Sequence, residues 1–240
     1  MAWVMLAALA AGTYLLASTN LAILLARRLK GIDVRSLGPG TAGTANTARA
    51  LGLGFAVLVF LFDLFKSMGP LFLARLLLPA RPAWLVTVSL FLVAATAILG
   101  HCRPVFHGFR GGGGVVTAMG ALFVIVPAEF LLSLVAGFVA VQVFLRGAQY
   151  RLGQWTPIVF LAITPVVTLA ACLWVDQPLV AGVRFGGKPW PVAAGVLALG
   201  LLIMLLNPRH ARDRVRELRR RARSPGEEGK LDSKKELHDG

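Results

Sequence analysis

The sequence predicts an all-α membrane protein, a polytopic bundle of about seven transmembrane helices of which one is short or broken. Three observations lead there. Of the 240 residues, 57% are hydrophobic and only 15% charged, with a mean hydropathy of +0.73, more apolar than a soluble core requires. Apolar runs of bilayer-spanning length recur along the chain, separated by short segments carrying Gly, Pro and Arg. The basic residues flank those runs, which is how a bilayer sorts charge.

The first run, 2–26, is too long for the apolar part of a signal peptide and has no basic leader or cleavage site, so it is expected to be retained as a span ending at Arg27, Arg28 and Lys30. Further spans are expected at 51–78, 84–99, 128–145, 155–175 and 191–206. Segment 115–127 is short for a full crossing and is read as tilted, broken or sheltered by its neighbours. Counting it as a crossing puts the termini on opposite faces. Arg27, Arg28, Lys30, Arg35, Arg49, Arg103, Arg110, Arg146, Arg151 and the basic tail then share one side, against Arg75, Arg81, Arg184 and Lys188 on the other. The positive-inside rule places the N-terminus outside and the C-terminus in the cytoplasm.

Two units follow: a membrane domain, 1–206, and a basic cytoplasmic tail, 207–240, partly disordered. Many of the basic residues crowd into the tail, which suits anionic membrane lipids as partners. No aromatic-interleaved or groove-reading motif accompanies it, so nucleic acid is not expected. Cys102 and Cys172 suggest neither a disulfide framework nor a zinc site, and His101, His107 and His210 lack metal-ligand spacing.

Two segments on the expected cytoplasmic face carry chemistry. In 31–52, Gly38, Gly40 and Gly43 are closely spaced, with Asn46 and Arg49 following at helical spacing; in 100–117, Arg110 precedes four glycines, Gly111, Gly112, Gly113 and Gly114. Glycine permits backbone that turns N–H groups toward one anion, an arginine adds paired hydrogen bonds to phosphate oxygens, and a helix starting after Gly114 adds the positive end of its dipole. The same features also serve as plain turns between helices. Asp63 and Lys66, at i, i+3 inside an apolar run, read as an internal pair facing the bundle. Ser18 reads as bonded within its own helix.

The motifs resemble those of the bacterial acyl-phosphate glycerol-3-phosphate acyltransferases, the PlsY type. LLASTNLAILLARRLKGID resembles the family opening; GPGTAGTANTAR is similar to GSGNxGATNxxR; FDLFKS to its DxxKG segment; GHCRPVFHGFRGGGGVVT to GHxFPVFxxFKGGKGVAT; and RHARDR to RHxxNI. The resemblance implies an enzyme of the bacterial inner membrane that transfers an acyl group from acyl phosphate to glycerol 3-phosphate, giving lysophosphatidic acid in phospholipid synthesis, with no metal or other cofactor. It implies His210 as catalytic, and Gly38, Gly40, Gly43, Asn46, Arg49, His101, Gly111, Gly112, Gly114 and Thr117 as phosphate- or substrate-binding; Thr41, Arg103, Arg110 and Gly113, which lie in the same segments without matching the pattern, are expected at the same site. Polar positions differ from the family pattern. Pro39 stands for a serine, Thr41 and Asp213 for asparagines, and Gly113 for the lysine of GGKG. Arg103 is expected to replace that lost cation. The alternative reading is a catalytically reduced member that binds a lipid precursor or acts as a regulatory or scaffold membrane protein.

Overall fold

A computed structural model of the protein describes residues 2–38, 40–77, 83–144, 152–174 and 190–206. Their regular structure is helical, without strands: α1 (Ala2–Ser18), α2 (Leu21–Lys30), α3 (Thr44–Leu51), α4 (Leu53–Leu77), α5 (Ala83–Cys102), α6 (Val115–Ile125), α7 (Pro127–Phe144), α8 (Leu152–Trp174) and α9 (Trp190–Leu206). Two 3-10 turns, Val34–Ser36 and Val105–His107, punctuate the loops. The fold is an all-α bundle, as expected. Segments Trp3–Lys30, Leu53–Leu77 and Trp84–His107 are long and apolar enough to cross a membrane, and Val115–Ile125, Pro127–Val143, Val159–Ala171 and Pro191–Leu206 are shorter apolar helices.

The first run is not one helix. α1 stops at Ser18 and α2 starts at Leu21 because Asn20 adopts an extended backbone and its side chain accepts from the N–H of Ile23, capping α2. Its amide also donates to the carbonyl of Ala42 at 3.2 Å, tying the break to the next loop. α2 ends at Gly31, whose φ of 66° supplies the left-handed cap.

α4 shows how a membrane helix inverts the soluble pattern. Val57, Leu58, Leu61, Phe65, Phe72 and Leu76 are exposed, whereas Asp63, Lys66 and Ser67 are buried with Ala56, Val59, Leu71 and Ala74. Lipid takes the apolar face and the bundle takes the polar one.

The short helix α6 is the sheltered kind. Thr117, Ala118, Gly120, Ala121, Leu122, Val124 and Ile125 are buried, and Gly120 lies so close to the Leu64 carbonyl and the Ser67 hydroxyl that a Cβ would collide with both. Close backbone approach through small residues is the usual membrane packing device. At its far end Arg75 of α4 donates from Nη2 to the carbonyl of Val124 at 2.7 Å, satisfying one of the carbonyls a helix end leaves open. Pro127 then opens α7, where its missing N–H costs nothing. α1 packs on α5, α4 on α6, α7 on α8, and α9 on both α5 and α8. Gly100 against the Tyr14 carbonyl and Gly195 against the Phe91 ring repeat the small-residue contact. Pro39, Arg81, Arg146, Arg151, Arg184, Lys188, His210 and the tail lie outside the described residues.

Candidate active site

The first glycine segment is organised by Asp33 and Asn46. Asp33 caps the 3-10 turn by accepting from the N–H of Arg35 at 3.0 Å, and the Arg35 guanidinium beside it holds its carboxyl well below the usual carboxylate range. Asn46 donates to the carbonyls of Leu37 at 2.7 Å and Thr41 at 2.8 Å, and its Oδ1 accepts from Nη1 of Arg49 at 2.7 Å. Asn46 therefore shapes the loop and steers Arg49, whose side chain is otherwise exposed. Gly38, at φ +48°, passes so near that pair that a Cβ would sit 2.7 Å from Asn46 Oδ1 and 2.9 Å from Arg49 Nη1. The carbonyl of Gly43 accepts from the N–H groups of Asn46 and Thr47 and starts α3.

The second segment folds back on the end of α5. The N–H groups of Gly111 and Gly112 donate to the carbonyls of Cys102 and His101, both at 3.1 Å. These two glycines supply close approach: a Cβ on Gly111 would strike the His101 carbonyl and Pro104, and one on Gly112 would strike the His101 imidazole and lie 2.6 Å from the Ala42 carbonyl. Gly114, at φ +78°, opens α6 against Cys102 Sγ. A Cβ on Gly113, by contrast, meets nothing within 4 Å. The ladder of α6 begins with Ala118 N–H donating to the Gly114 carbonyl, so the N–H groups of Val115, Val116 and Thr117 stand at its open positive end. In that first turn Thr117 is fully buried and its Oγ1 has no hydrogen-bond partner.

The two segments form one junction. Ala42 N–H donates to the Gly111 carbonyl at 3.2 Å, and Arg35 Nη1 donates to the carbonyls of Arg110 at 2.6 Å and His107 at 3.1 Å. Beneath them lies a buried trio. Lys66 Nζ is 2.8 Å from Asp63 Oδ1 and 2.6 Å from His101 Nδ1, while Asp63 Oδ1 is 3.4 Å from the same ring nitrogen. Lys66 also reaches the Thr19 carbonyl at the α1–α2 break, at 3.5 Å. With Lys66 as an ammonium, which only donates, Nδ1 accepts and the ring proton is assigned to Nε2, the nitrogen turned toward Gly112. His101 is thus a neutral donor facing the glycine arc, beyond the Asp63–Lys66 pair that spacing predicts.

Comparison with known proteins bears on this arrangement. The family model described as glycerol-3-phosphate acyltransferase matches residues 7–219. A glycerol-3-phosphate acyltransferase of Thioalkalivibrio sulfidiphilus (strain HL-EbGR7) is 35% identical over 227 residues, covering 95% of this chain and 94% of the relative. The chain belongs to the glycerol-3-phosphate acyltransferase family. Crystal structures of PlsY (YgiH), an integral membrane glycerol 3-phosphate acyltransferase, superpose with TM-scores of 0.63 for its glycerol 3-phosphate form and 0.61 for its lysophosphatidic acid form. They are 29% and 28% identical to this chain, covering 90% of it in each case and 94% and 93% of the PlsY chains.

Within this acyltransferase the sequence-derived positions separate into groups. Gly38, Gly40, Thr41, Gly43, Asn46, Arg49, His101, Gly111, Gly112, Gly113, Gly114 and Thr117 belong to the two joined segments and the helices they start. The side chain of Arg110 is exposed beside them. The Arg103 Nη2 donates to the carbonyl of Leu206 at the end of α9 at 2.8 Å, and its Nη1 to that of Cys102 at 3.3 Å. Its guanidinium is thus bonded to the ends of α5 and α9. His210 is outside the described residues. Ser18 accepts from the N–H of Val105 across the α1–loop contact at 3.4 Å, a bond outside its own helix. From the sequence Asn20 has no role and Arg35 only a place among the basic residues of the expected cytoplasmic face. A polar side chain inside an apolar run, and Asp33 two residues before Arg35, were the available signals.

Proposed function

We propose that this acyltransferase transfers an acyl group from acyl phosphate to glycerol 3-phosphate, releasing lysophosphatidic acid and inorganic phosphate, at the junction of the two glycine segments. Family membership over most of the chain supports acyl transfer to glycerol 3-phosphate in phospholipid synthesis by a membrane enzyme. The observation that carries the site is the bond from Ala42 to Gly111, which sets the start of α3 beside the arc that starts α6. Phosphate oxygens suit the open end of α6, with its unpartnered Thr117 hydroxyl, and the exposed guanidiniums of Arg49 and Arg110.

In this reading the hydroxyl oxygen of glycerol 3-phosphate attacks the acyl carbonyl carbon, the new ester C–O bond forms, and the bond from that carbon to the phosphate oxygen breaks. Acyl phosphate is an activated mixed anhydride, so the protein's work is to bring two anionic groups together and to stabilise charge on the carbonyl oxygen. The neutral Nε2–H of His101 and the α6 N–H groups are donors of the needed kind. His210 takes the hydroxyl proton, and the acyl chain lies along the lipid-facing helices. The basic tail meets anionic lipid on the cytoplasmic side, and the N-terminus faces outward.

The test supplies purified protein in nanodiscs with glycerol 3-phosphate and either acyl phosphate or acyl-CoA. Lysophosphatidic acid forming from acyl phosphate alone is the expected result; product from acyl-CoA alone refutes the donor assignment, and no product from either refutes activity at this site.

A further inference from the structure

We infer that Arg35 is a positioning residue: it holds the arc of the second glycine segment in the shape that receives phosphate, by fixing an unfavourable turn just upstream of it. This rests on the reading of that arc as the phosphate site.

Arg35 Nη1 donates to the carbonyls of His107 and Arg110, the residues on either side of Gly108 and Phe109. Those two have φ of +64° and +57°. Glycine enters that region freely, but phenylalanine does so against its own Cβ and has no polar side chain to bond locally in return. Phe109 is the one non-glycine residue with positive φ among the described residues. Its side chain is 56% exposed, so packing does not hold it there. Backbone holds one side of the turn, the N–H groups of His107 and Phe109 donating to the Pro104 carbonyl at 3.2 and 2.9 Å, and the two bonds from Arg35 hold the carbonyls on either side of it.

The rest of the guanidinium is fixed by Asp33, with Nε 2.9 Å from Oδ1 and Nη2 2.6 Å from Oδ2. Asp33 is in turn 3.4 Å from Arg27 Nη2 of α2. Only a planar fork binds a carboxylate along one edge and still aims two N–H bonds at separate carbonyls; an ammonium cannot. The chain downstream is already anchored, through the Gly111 carbonyl to Ala42 and through the N–H groups of Gly111 and Gly112 to α5. In the stretch 107–110 the N–H groups of His107 and Phe109 are tied to Pro104, while the carbonyls of His107 and Arg110 are tied to a side chain from the first segment.

The experiment compares full-length wild type with R35A, R35K, R35A/F109G and G113D in nanodiscs, with KM and kcat measured for acyl phosphate. R35A is expected to raise KM by about tenfold, with kcat within about threefold of wild type, as loss of charge-assisted bonds that shape a binding loop implies. R35K should match R35A, because charge without the fork does not restore the carbonyl bonds. Adding F109G to R35A should return KM to within about threefold of wild type, since glycine accepts the turn unaided. Wild-type KM in R35K, or no recovery in R35A/F109G, overturns the inference; R35K decides the matter where R35A does not fold. G113D separates the two levels of argument by placing an anion in the open space of the arc. Unchanged KM in G113D refutes the phosphate reading itself, whereas a raised KM there with no effect in the Arg35 variants refutes only the role of Arg35.

Discussion

Lys66 is only 3% exposed and serves three partners at once: Asp63, His101 and the Thr19 carbonyl. Removing one member of such a group leaves a buried charge without its counter-ion, at a cost of about 3–5 kcal/mol, whereas replacing both charges together is far milder. Thermal unfolding in detergent should therefore show K66M much less stable than D63N/K66M; equal losses would mean the pair is not coupled. Gly113 poses the opposite case, because a Cβ there meets nothing within 4 Å. G113K adds a cation beside the arc, and its Cβ enters open space. A charge-assisted hydrogen bond is worth about 1.5–3 kcal/mol, so KM for the phosphate-bearing substrate is expected to fall by tenfold or more in steady-state assays. No change, or a rise, would show that the open space is not beside bound phosphate.

At the scale of elements, the contact of α4 with α6 leaves no room for even one methyl group at Gly120. G120A is expected to lose about 1–3 kcal/mol through overpacking against a carbonyl that cannot move alone, while G113A stays near wild type. Melting temperatures of the two alanine variants in one detergent check this, and matching values refute it. The link between the loops has its own pH dependence. Arg35 lowers the Asp33 pKa in the folded protein, so the stability it adds is present above the usual aspartate range and is lost as pH falls below about 4, through the folded value. The melting temperature of wild type should decline in acid more steeply than that of D33N. An identical acid slope in the two would rule out this linkage.

For the whole molecule, the proposed orientation is tested by labelling from outside. A cysteine introduced at Ala2 should react with an impermeant maleimide in intact cells, and one at Ser233 only after lysis. The reverse pattern would invert the topology. How much of this was legible beforehand differs by element. The α4 span was, because a long apolar run has no other way to satisfy its backbone in lipid. The short α6 was foreseen as tilted, broken or sheltered, but not that Gly120 and Arg75 of α4 are what shelter it. The α1–α2 break was missed, since hydropathy averages over a single asparagine and cannot see the Ala42 carbonyl that receives it.

The sequence by itself determined the helical membrane class, the family and the two glycine segments, because hydropathy and motif spacing are properties of neighbours along the chain. Only the tertiary structure decided that Asn46 is spent on its own loop, that Arg103 bonds the end of α9, that His101 is oriented by Lys66, and that Arg35 joins the segments. A side chain's hydrogen bonds depend on which backbone groups other helices bring within about 3 Å, and partners as far apart in sequence as Arg35 and Arg110 meet only once the bundle has packed.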